Sequence, residues 1–221
     1  MIKQIMKMAL ITILAVTTFG CSSLALKREV ANNVFTSSFP EITVSVAPDF
    51  KYLGISSGHT TGSTLGLRDV DYTIEAYCFV LPRNNIASKV FGVLFETIRA
   101  AYIPDFFRDK KNTLATGAVD CGGEIFQYFI ISVHPSPTKH FSRVIFENGY
   151  AMPFGLIKVY GKIYGVNEDN LVHFFYYEPF ENSMKDEQWK TQESLRKDQL
   201  AFMKKFSQRA DLAFNLKTRT K

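Results

Sequence analysis

Two cysteines, Cys78 and Cys121, lie outside the amino-terminal segment of this chain. A thiol can form a disulfide, bind a metal or act as a nucleophile. Cys78 shares one face of a predicted strand with the apolar residues Ile74, Ala76 and Val80, as a buried free thiol does. Cys121 precedes Gly122-Gly123, whose open amides could donate to an oxyanion, although no established cysteine-enzyme signature surrounds it. Three states stay open: a disulfide between Cys78 and Cys121, two unpaired thiols, or a nucleophilic Cys121.

The four histidines are spread along the chain at His59, His134, His140 and His173. None forms an H-x-x-x-H or H-E-x-x-H pair, so a metal site would need ligands from distant segments. We therefore expect no metal and no cofactor. The stretch 58–64 is rich in glycine and threonine but lacks the Gly-Lys-Ser/Thr ending of a phosphate loop. By composition, residues 56–63 are predicted to be a surface loop.

Aromatic residues crowd two predicted strands. They are Phe126, Tyr128, Phe129, Phe174, Phe175, Tyr176, Tyr177 and Phe180. The ordinary interpretation is a large hydrophobic core, and the alternative is a cleft for an apolar ligand. The run 174–177 must place aromatic rings on both faces of its strand, so a helix, a partner or a ligand should cover at least one face.

The elements that would position these residues are mainly strands. Alternating or continuous apolar patterns predict strands over 42–46, 50–55, 70–81, 124–133, 156–164 and 171–177. The segment 124–133 is apolar on both faces, which favours a central position. The segment 89–101 suits either a helix or a buried strand, and its β-branched residues favour a strand. The pair 156–164 and 171–177 forms the clearest hairpin.

After Pro179 the apolar pattern changes to a helical period. Ser183 and Asp186 resemble a capping box, and Leu195, Phe202 and Phe206 recur near helical spacing. The sequence therefore predicts a long amphipathic helix over about 184–213. Strands followed by a terminal helix give an α+β class, with a mainly antiparallel β-sheet packed against that helix.

The amino terminus has the pattern of an export signal. Lys3 and Lys7 precede an uncharged run from Met8 to Gly20, which is too short to cross a bilayer of about 30 Å as a helix. The run ends in Thr18-Phe19-Gly20-Cys21, followed by Ser22-Ser23. This organisation is typical of a cleaved signal peptide.

The Gly20-Cys21 junction resembles the lipobox of bacterial lipoproteins, although Thr18 and Phe19 depart from its usual residues. The resemblance covers the signal peptide only and implies no fold for the mature chain. It implies a diacylglyceryl group on the Cys21 thiol, cleavage before Cys21, and acylation of the new amino group by a fatty acid such as palmitate. Ser22 is of the type sorted to the outer membrane in many Gram-negative bacteria. The alternative is an ordinary secretory signal with an incidental cysteine.

Residues 1–20 are thus expected to be a signal peptide, 21–39 a tether and 40–221 a single α+β domain. The formal net charge is +5, but the excess of basic residues lies after residue 182, so no nucleic-acid partner is expected. We expect a membrane-anchored envelope lipoprotein, without evident catalytic machinery, that binds a protein partner or a small apolar ligand. The alternatives are an envelope hydrolase with a site assembled from distant residues and a structural subunit of an envelope complex.

Overall fold

The computed structural model describes residues 26–64, 67–98, 113–138, 140–165, 170–180, 189 and 191–218. Most of these residues lie in β-strands. The strands are β1 Arg28–Ala31, β2 Val34–Ser38, β3 Glu41–Val46, β4 Lys51–Thr64, β5 Leu67–Arg83, β6 Ile86–Ile98, β7 Ala115–Cys121, β8 Glu124–Val133, β9 Gly155–Tyr164, β10 Asn170–Pro179 and β11 Phe214–Thr218. The helices are α1 His140–Glu147, the short 3₁₀ helix Gln192–Ser194, and α2 Lys197–Leu212.

The strands form two antiparallel sheets. The small sheet has the order β1-β2-β3-β11, and the large sheet has the order β4-β5-β6-β10-β9-β8-β7. Asparagine pairs 32–33 and 84–85 turn the β1–β2 and β5–β6 hairpins, and all four residues have positive φ values between 49° and 59°. Asparagine tolerates this left-handed conformation, which two-residue hairpin turns require.

Other elements pack against both faces of the large sheet. One face packs against the small sheet and α2 through a core that contains Phe35, Phe91, Phe174 and Phe206. The opposite face packs against α1 through a second cluster that includes Cys78, Val144, Ile145 and Phe175. The fold therefore has three layers, with the large sheet in the middle, and the predicted α+β class with a mainly antiparallel sheet is confirmed in outline.

The carboxy-terminal helix is shorter than predicted. Helix α2 has 16 residues, and it begins after Arg196 rather than near residue 184. Leu195 is extended, and the Arg196 amide donates to the Gln199 side chain at 2.8 Å, so the cap lies here. The proposed capping box at Ser183 and Asp186 lies outside the described residues. After α2 the chain continues into β11, a strand that the sequence did not predict.

The tether predicted over 21–39 is wrong in its second half, because residues 28–38 form β1 and β2. Phe35 is fully buried, and its ring lies 4.7 Å from that of Tyr77 on β5. A strand that packs against a core on one face needs apolar residues only at every second position, and polar residues can occupy the other face. The folded part of the chain therefore begins well before Pro40.

Three further differences concern the large sheet. The predicted loop 56–63 is part of β4, whose small and hydroxyl-bearing residues continue the ladder to β5. Strand β8 is the second strand from one edge rather than a central one. Strand β7 and helix α1 were not predicted. The segment 89–98 does form a strand, and the β9–β10 hairpin has the expected partners, with Val159 opposite Phe175.

Candidate functional site

Cys78 is a buried thiol on the α1 face of the large sheet. It has no exposed surface, and its Sγ donates to the Phe141 carbonyl oxygen at 3.4 Å. Burial raises the pKa of the Cys78 thiol to about 12, because the thiolate would have no water around it. Cys78 is therefore a packing residue, as the alternation in its strand indicated.

Cys121 does not pair with Cys78, and both thiols are free. Strand β5 carries Cys78 and strand β7 carries Cys121, and five strand-to-strand steps separate them in the large sheet. At about 4.8 Å per step the separation is roughly 24 Å, whereas a disulfide needs Cα atoms within about 7 Å. The disulfide alternative is therefore wrong for this fold.

Cys121 lines a small cleft where the end of β7 meets β11 and the end of α2. The cleft has a volume of about 200 Å³, and its lining residues are Val119, Asp120, Cys121, Gly122, Asp211, Phe214, Asn215 and Leu216. This volume is below the range of roughly 300–1,000 Å³ that is usual for sites of drug-sized ligands. The cleft can admit only a small molecule or water.

The glycines after Cys121 serve the backbone. Gly122 and Gly123 have φ values of 66° and 87° and form the two-residue turn between β7 and β8. A Cβ atom on Gly122 would lie 2.2 Å from the Leu216 carbonyl oxygen on β11. The Gly123 amide donates to Asp120 Oδ1 at 2.8 Å. Gly122 thus allows close approach of the two sheets, and Gly123 completes the turn with a positive φ, so neither residue requires an oxyanion role.

A buried polar cluster lies beside Cys121 and centres on Lys158. The side chain of Lys158 is only 1% exposed, and its Nζ lies 2.6 Å from Asp211 Oδ1 and 2.9 Å from Ser207 Oγ. The Tyr160 hydroxyl donates to the same Asp211 oxygen at 2.6 Å. The ammonium group also lies 4.3 Å from the centre of the Tyr128 ring, a cation–π distance. One carboxylate thus joins β9 to α2.

The electrostatics of this cluster oppose nucleophilic chemistry at Cys121. Burial, and next the negative charge of Asp211, raise the pKa of the Cys121 thiol to about 11, and Lys158 only partly offsets this. Burial and the hydrogen bond to Asp211 also raise the pKa of Tyr160. Both groups are therefore protonated at neutral pH, whereas a cysteine nucleophile needs a depressed pKa or a neighbouring base.

A second, partly buried ion pair joins β10 to α2. Glu178 accepts from Arg209 Nε at 2.9 and 3.0 Å with its two oxygens, and it also accepts from Arg209 Nη2 and from the Tyr176 hydroxyl. Burial, and next the charge of Glu178, raise the pKa of Tyr176. A carboxylate held by a bidentate arginine is a rigid structural contact, and it is fully engaged within the protein.

The histidines lie apart, on β4, after β8, at the start of α1 and on β10. His134 stacks on Phe154 with ring centres 3.9 Å apart. His173 Nε2 lies 4.0 Å from Glu96 Oε2, and both groups are largely buried. Burial lowers the pKa of His173 to about 4 and raises that of Glu96 to about 7. Within the described residues, no cluster of three or more histidine, cysteine or acidic side chains could hold a metal.

The aromatic residues of β8 and β10 pack against each other and against α2. Phe126 and Phe174 have ring centres 5.2 Å apart, and those of Tyr176 and Phe206 are 5.7 Å apart. On the opposite face, Phe175 covers Gly92, where a Cβ atom would lie 2.1 Å from the Phe175 ring. These rings fill the core, as the ordinary interpretation of the sequence predicted.

Part of the large sheet lies beyond α1 and presents apolar groups to solvent. On β8, Ile125 is 61% exposed, and Phe129 and Ile131 follow on the same face with partial exposure. The neighbouring strand β7 adds the exposed Thr116 and Ala118. We call these five residues the β7–β8 face. It is a sheet surface of mixed polarity.

No protein-family model, curated protein or solved structure matches this chain. Among the helices of the described residues, none is both long and apolar enough to cross a membrane. Site assignment therefore depends on the residues and their contacts.

Sequence reasoning missed Lys158 and Asp211. The alternation of Lys158 and Lys162 with Ile157 and Val159 predicts a polar outer face of β9, yet Lys158 faces the small sheet and α2. The available signal was Asp211, an acid near the apolar stripe of the terminal helix. A pairing between two residues more than fifty positions apart leaves no local pattern.

Proposed function

We propose that this chain is a lipid-anchored lipoprotein of the bacterial cell envelope whose folded part binds a protein partner and catalyses no reaction. The observation that carries the anchor is the Gly20-Cys21 junction at the end of a short uncharged run that follows Lys3 and Lys7. Two or three acyl chains hold a protein stably at a membrane, where a single chain binds reversibly. In a Gram-negative host, Ser22 favours the outer membrane.

The partner-binding role is supported by where the reactive and aromatic groups lie. The charges of Lys158 and Arg209 are compensated by carboxylates within the protein, and Cys121 is protonated at neutral pH. The aromatic rings that could have lined a ligand cavity fill the core. The β7–β8 face is an exposed and partly apolar sheet surface, and such surfaces suit proteins better than small ligands.

Metabolic labelling tests the anchor. Cells fed an alkyne analogue of palmitate should label the wild-type protein, and Cys21→Ser should abolish the label. Cys121→Ser is the matched control, since it removes another thiol without touching the lipobox, and its label should equal that of the wild type. A wild-type protein whose mature amino terminus is unmodified and lies away from Cys21 in mass spectrometry would overturn the anchor.

Site-specific photocrosslinking in intact cells tests the partner. A photoreactive amino acid at Ile125 should give a discrete crosslinked product, and the same group at Leu212 should not. Leu212 is the matched control because it is 82% exposed and lies on α2, in the opposite layer. Equal crosslinking at both positions, or none at Ile125 in correctly localised protein, would contradict this surface assignment.

A further inference from the structure

The described fold begins close to the cysteine that the proposed function lipidates. The Ser38 amide donates to the Lys27 carbonyl oxygen at 2.9 Å, and the Lys27 amide donates to Ser38 Oγ at 2.9 Å. Leu26 and Phe39 are therefore the next residues at the open end of the β1–β2 hairpin. Both expose large apolar side chains, Leu26 by 52% and Phe39 by 47%.

The chain between Cys21 and Leu26 is too short to hold this end away from a membrane. Only five peptide steps separate the two residues, and a fully extended chain advances at most about 3.6 Å per residue, or about 18 Å in total. A compact unit of about 190 residues has a radius of gyration of roughly 16 Å. Whatever the conformation of the link, the open hairpin end stays within about 18 Å of the lipidated residue, a distance comparable with the radius of gyration of the folded unit.

We propose that the open end of the β1–β2 hairpin rests on the bilayer that holds Cys21, with Leu26 and Phe39 inserted at the boundary between headgroups and acyl chains. This inference rests on the proposed lipid anchor and adds the orientation of the domain. The transfer of exposed apolar side chains from water to lipid is favourable. Because the anchor already holds the protein at the bilayer, the effective concentration of lipid around these side chains is high.

The charged residues near this end of the hairpin favour insertion through apolar contacts, because they do not form a surface that would attract anionic lipid. The charged side chains nearest in sequence and exposed at this end are Lys27, Glu29 and Glu41. Arg28 is engaged inward, since its Nη1 lies 2.5 Å from Glu75 Oε2 and its guanidinium lies 3.6 Å from the centre of the Phe95 ring. One exposed cation beside two exposed acids gives no basic patch for anionic headgroups.

Depth-dependent fluorescence quenching tests the orientation. The full-length lipidated protein is reconstituted into vesicles of phosphatidylethanolamine and phosphatidylglycerol that carry nitroxide-labelled lipid. A nitrobenzoxadiazole group is attached to Phe39→Cys or, as control, to Ile125→Cys, both in a Cys121→Ser background. Cys78 is buried and should not label. Ile125 is a matched control because it is exposed and lies on the face of the large sheet that points away from the small sheet and its β1–β2 hairpin.

The fluorophore at position 39 should be quenched at least three-fold more than the one at position 125. Leu26→Cys provides a second reporter if the substitution at Phe39 perturbs folding, and it should behave in the same way. Replacement of phosphatidylglycerol by phosphatidylcholine should leave the quenching unchanged. Equal weak quenching at positions 26, 39 and 125, or quenching that requires anionic lipid, would overturn the inference.

The two proposals fail in different ways. Mass spectrometry of the same samples reports whether Cys21 carries lipid. Absence of the lipid would refute the anchor itself. A lipidated protein with no preferential quenching at positions 26 and 39 would retain the anchor and refute only the orientation.

Discussion

The Nζ atom of Lys158 lies 2.6 Å from Oδ1 of Asp211, and the lysine side chain is almost completely buried. Asp211 is 40% exposed, so the buried cation depends on a partner that water can reach. The same carboxylate oxygen accepts from Tyr160. Helix α2 is thus fixed to β9 by one shared acceptor.

Removal of that acceptor should destabilise the fold. Asp211→Ala leaves the Lys158 ammonium without its counter-ion, and we expect a loss of about 2–4 kcal/mol, less than for a wholly buried pair because Asp211 is partly exposed. Urea denaturation measures the loss. The double variant Lys158→Met with Asp211→Ala should regain part of it, because no buried charge then remains.

The matched control for this ion pair is Arg143 and Glu147, whose side chains are 41% and 67% exposed with 3.9 Å between Arg143 Nε and Glu147 Oε1. Glu147→Ala should cost at most about 0.5 kcal/mol. A cost for Asp211→Ala as small as this control would show that the buried lysine is compensated by other groups.

Helix α2 should owe its stability to one apolar face. Phe206 is fully buried, whereas Leu212 is 82% exposed. Phe206→Ala should cost about 3–5 kcal/mol, and Phe202→Ala a similar amount, as for other large truncations in a core. Leu212→Ala should change the free energy of unfolding by less than about 0.5 kcal/mol. Equal losses at positions 206 and 212 in chemical denaturation would contradict this packing.

Thiol counting should distinguish the two free cysteines. Cys78 should not react with a thiol reagent in the folded protein, because it is buried and its pKa is raised to about 12. Cys121 is half-buried with a pKa near 11, so it should react slowly. In denaturant, both cysteines should react rapidly with the thiol reagent, and no reductant should be needed. A requirement for reductant would contradict the separation of the two thiols.

Glu96 and His173 should make opposite contributions to the pH dependence of stability. The pKa of Glu96 is raised by burial to about 7, so its contribution to stability falls as the pH rises from about 4.5 to 7. The pKa of His173 is lowered by burial to about 4, so its contribution falls as the pH decreases from about 6.5 to 4. The two slopes should largely cancel in the wild type.

The Glu96→Gln variant should show the pH dependence of the free energy of unfolding that His173 contributes, because the opposing contribution of Glu96 is removed. The free energy of unfolding should then rise with pH between about 4 and 6.5, by up to about 1.4 kcal/mol per pH unit more than in the wild type. The measurement is urea denaturation across this range for both proteins. Identical pH profiles of Glu96→Gln and the wild type would contradict the raised pKa of Glu96.

The parts of the fold that the sequence predicted are those with local signals. The β9–β10 hairpin joins two apolar strands through a polar stretch, and both strands are found. The terminal helix showed its period through Phe202 and Phe206, which are buried. Its start was misplaced because Leu195 continues the apolar spacing although its backbone is extended.

The parts that could not be predicted depend on distant partners. The polar run 56–63 became part of a strand because β5 supplies its ladder, and local propensity yields to such pairing. Strand β7 was hidden because its alternate residues pack against β8 and β11 rather than following a strong apolar period. The burial of Lys158 depends on Asp211, which is distant in sequence and leaves no local pattern.

The pairing of β3 with β11 has a consequence for how fast the chain can fold. Val44 lies opposite Leu216 in this ladder, so the contact closes a loop of about 170 residues. Closing this loop costs chain entropy, and the contacts that compensate for it form only when most of the intervening chain is ordered. Topologies rich in such contacts fold slowly. The hairpins of the large sheet can form first, from neighbouring segments. The small sheet is therefore expected to be completed last, and folding intermediates should leave the β3 edge unpaired and prone to association with other strands.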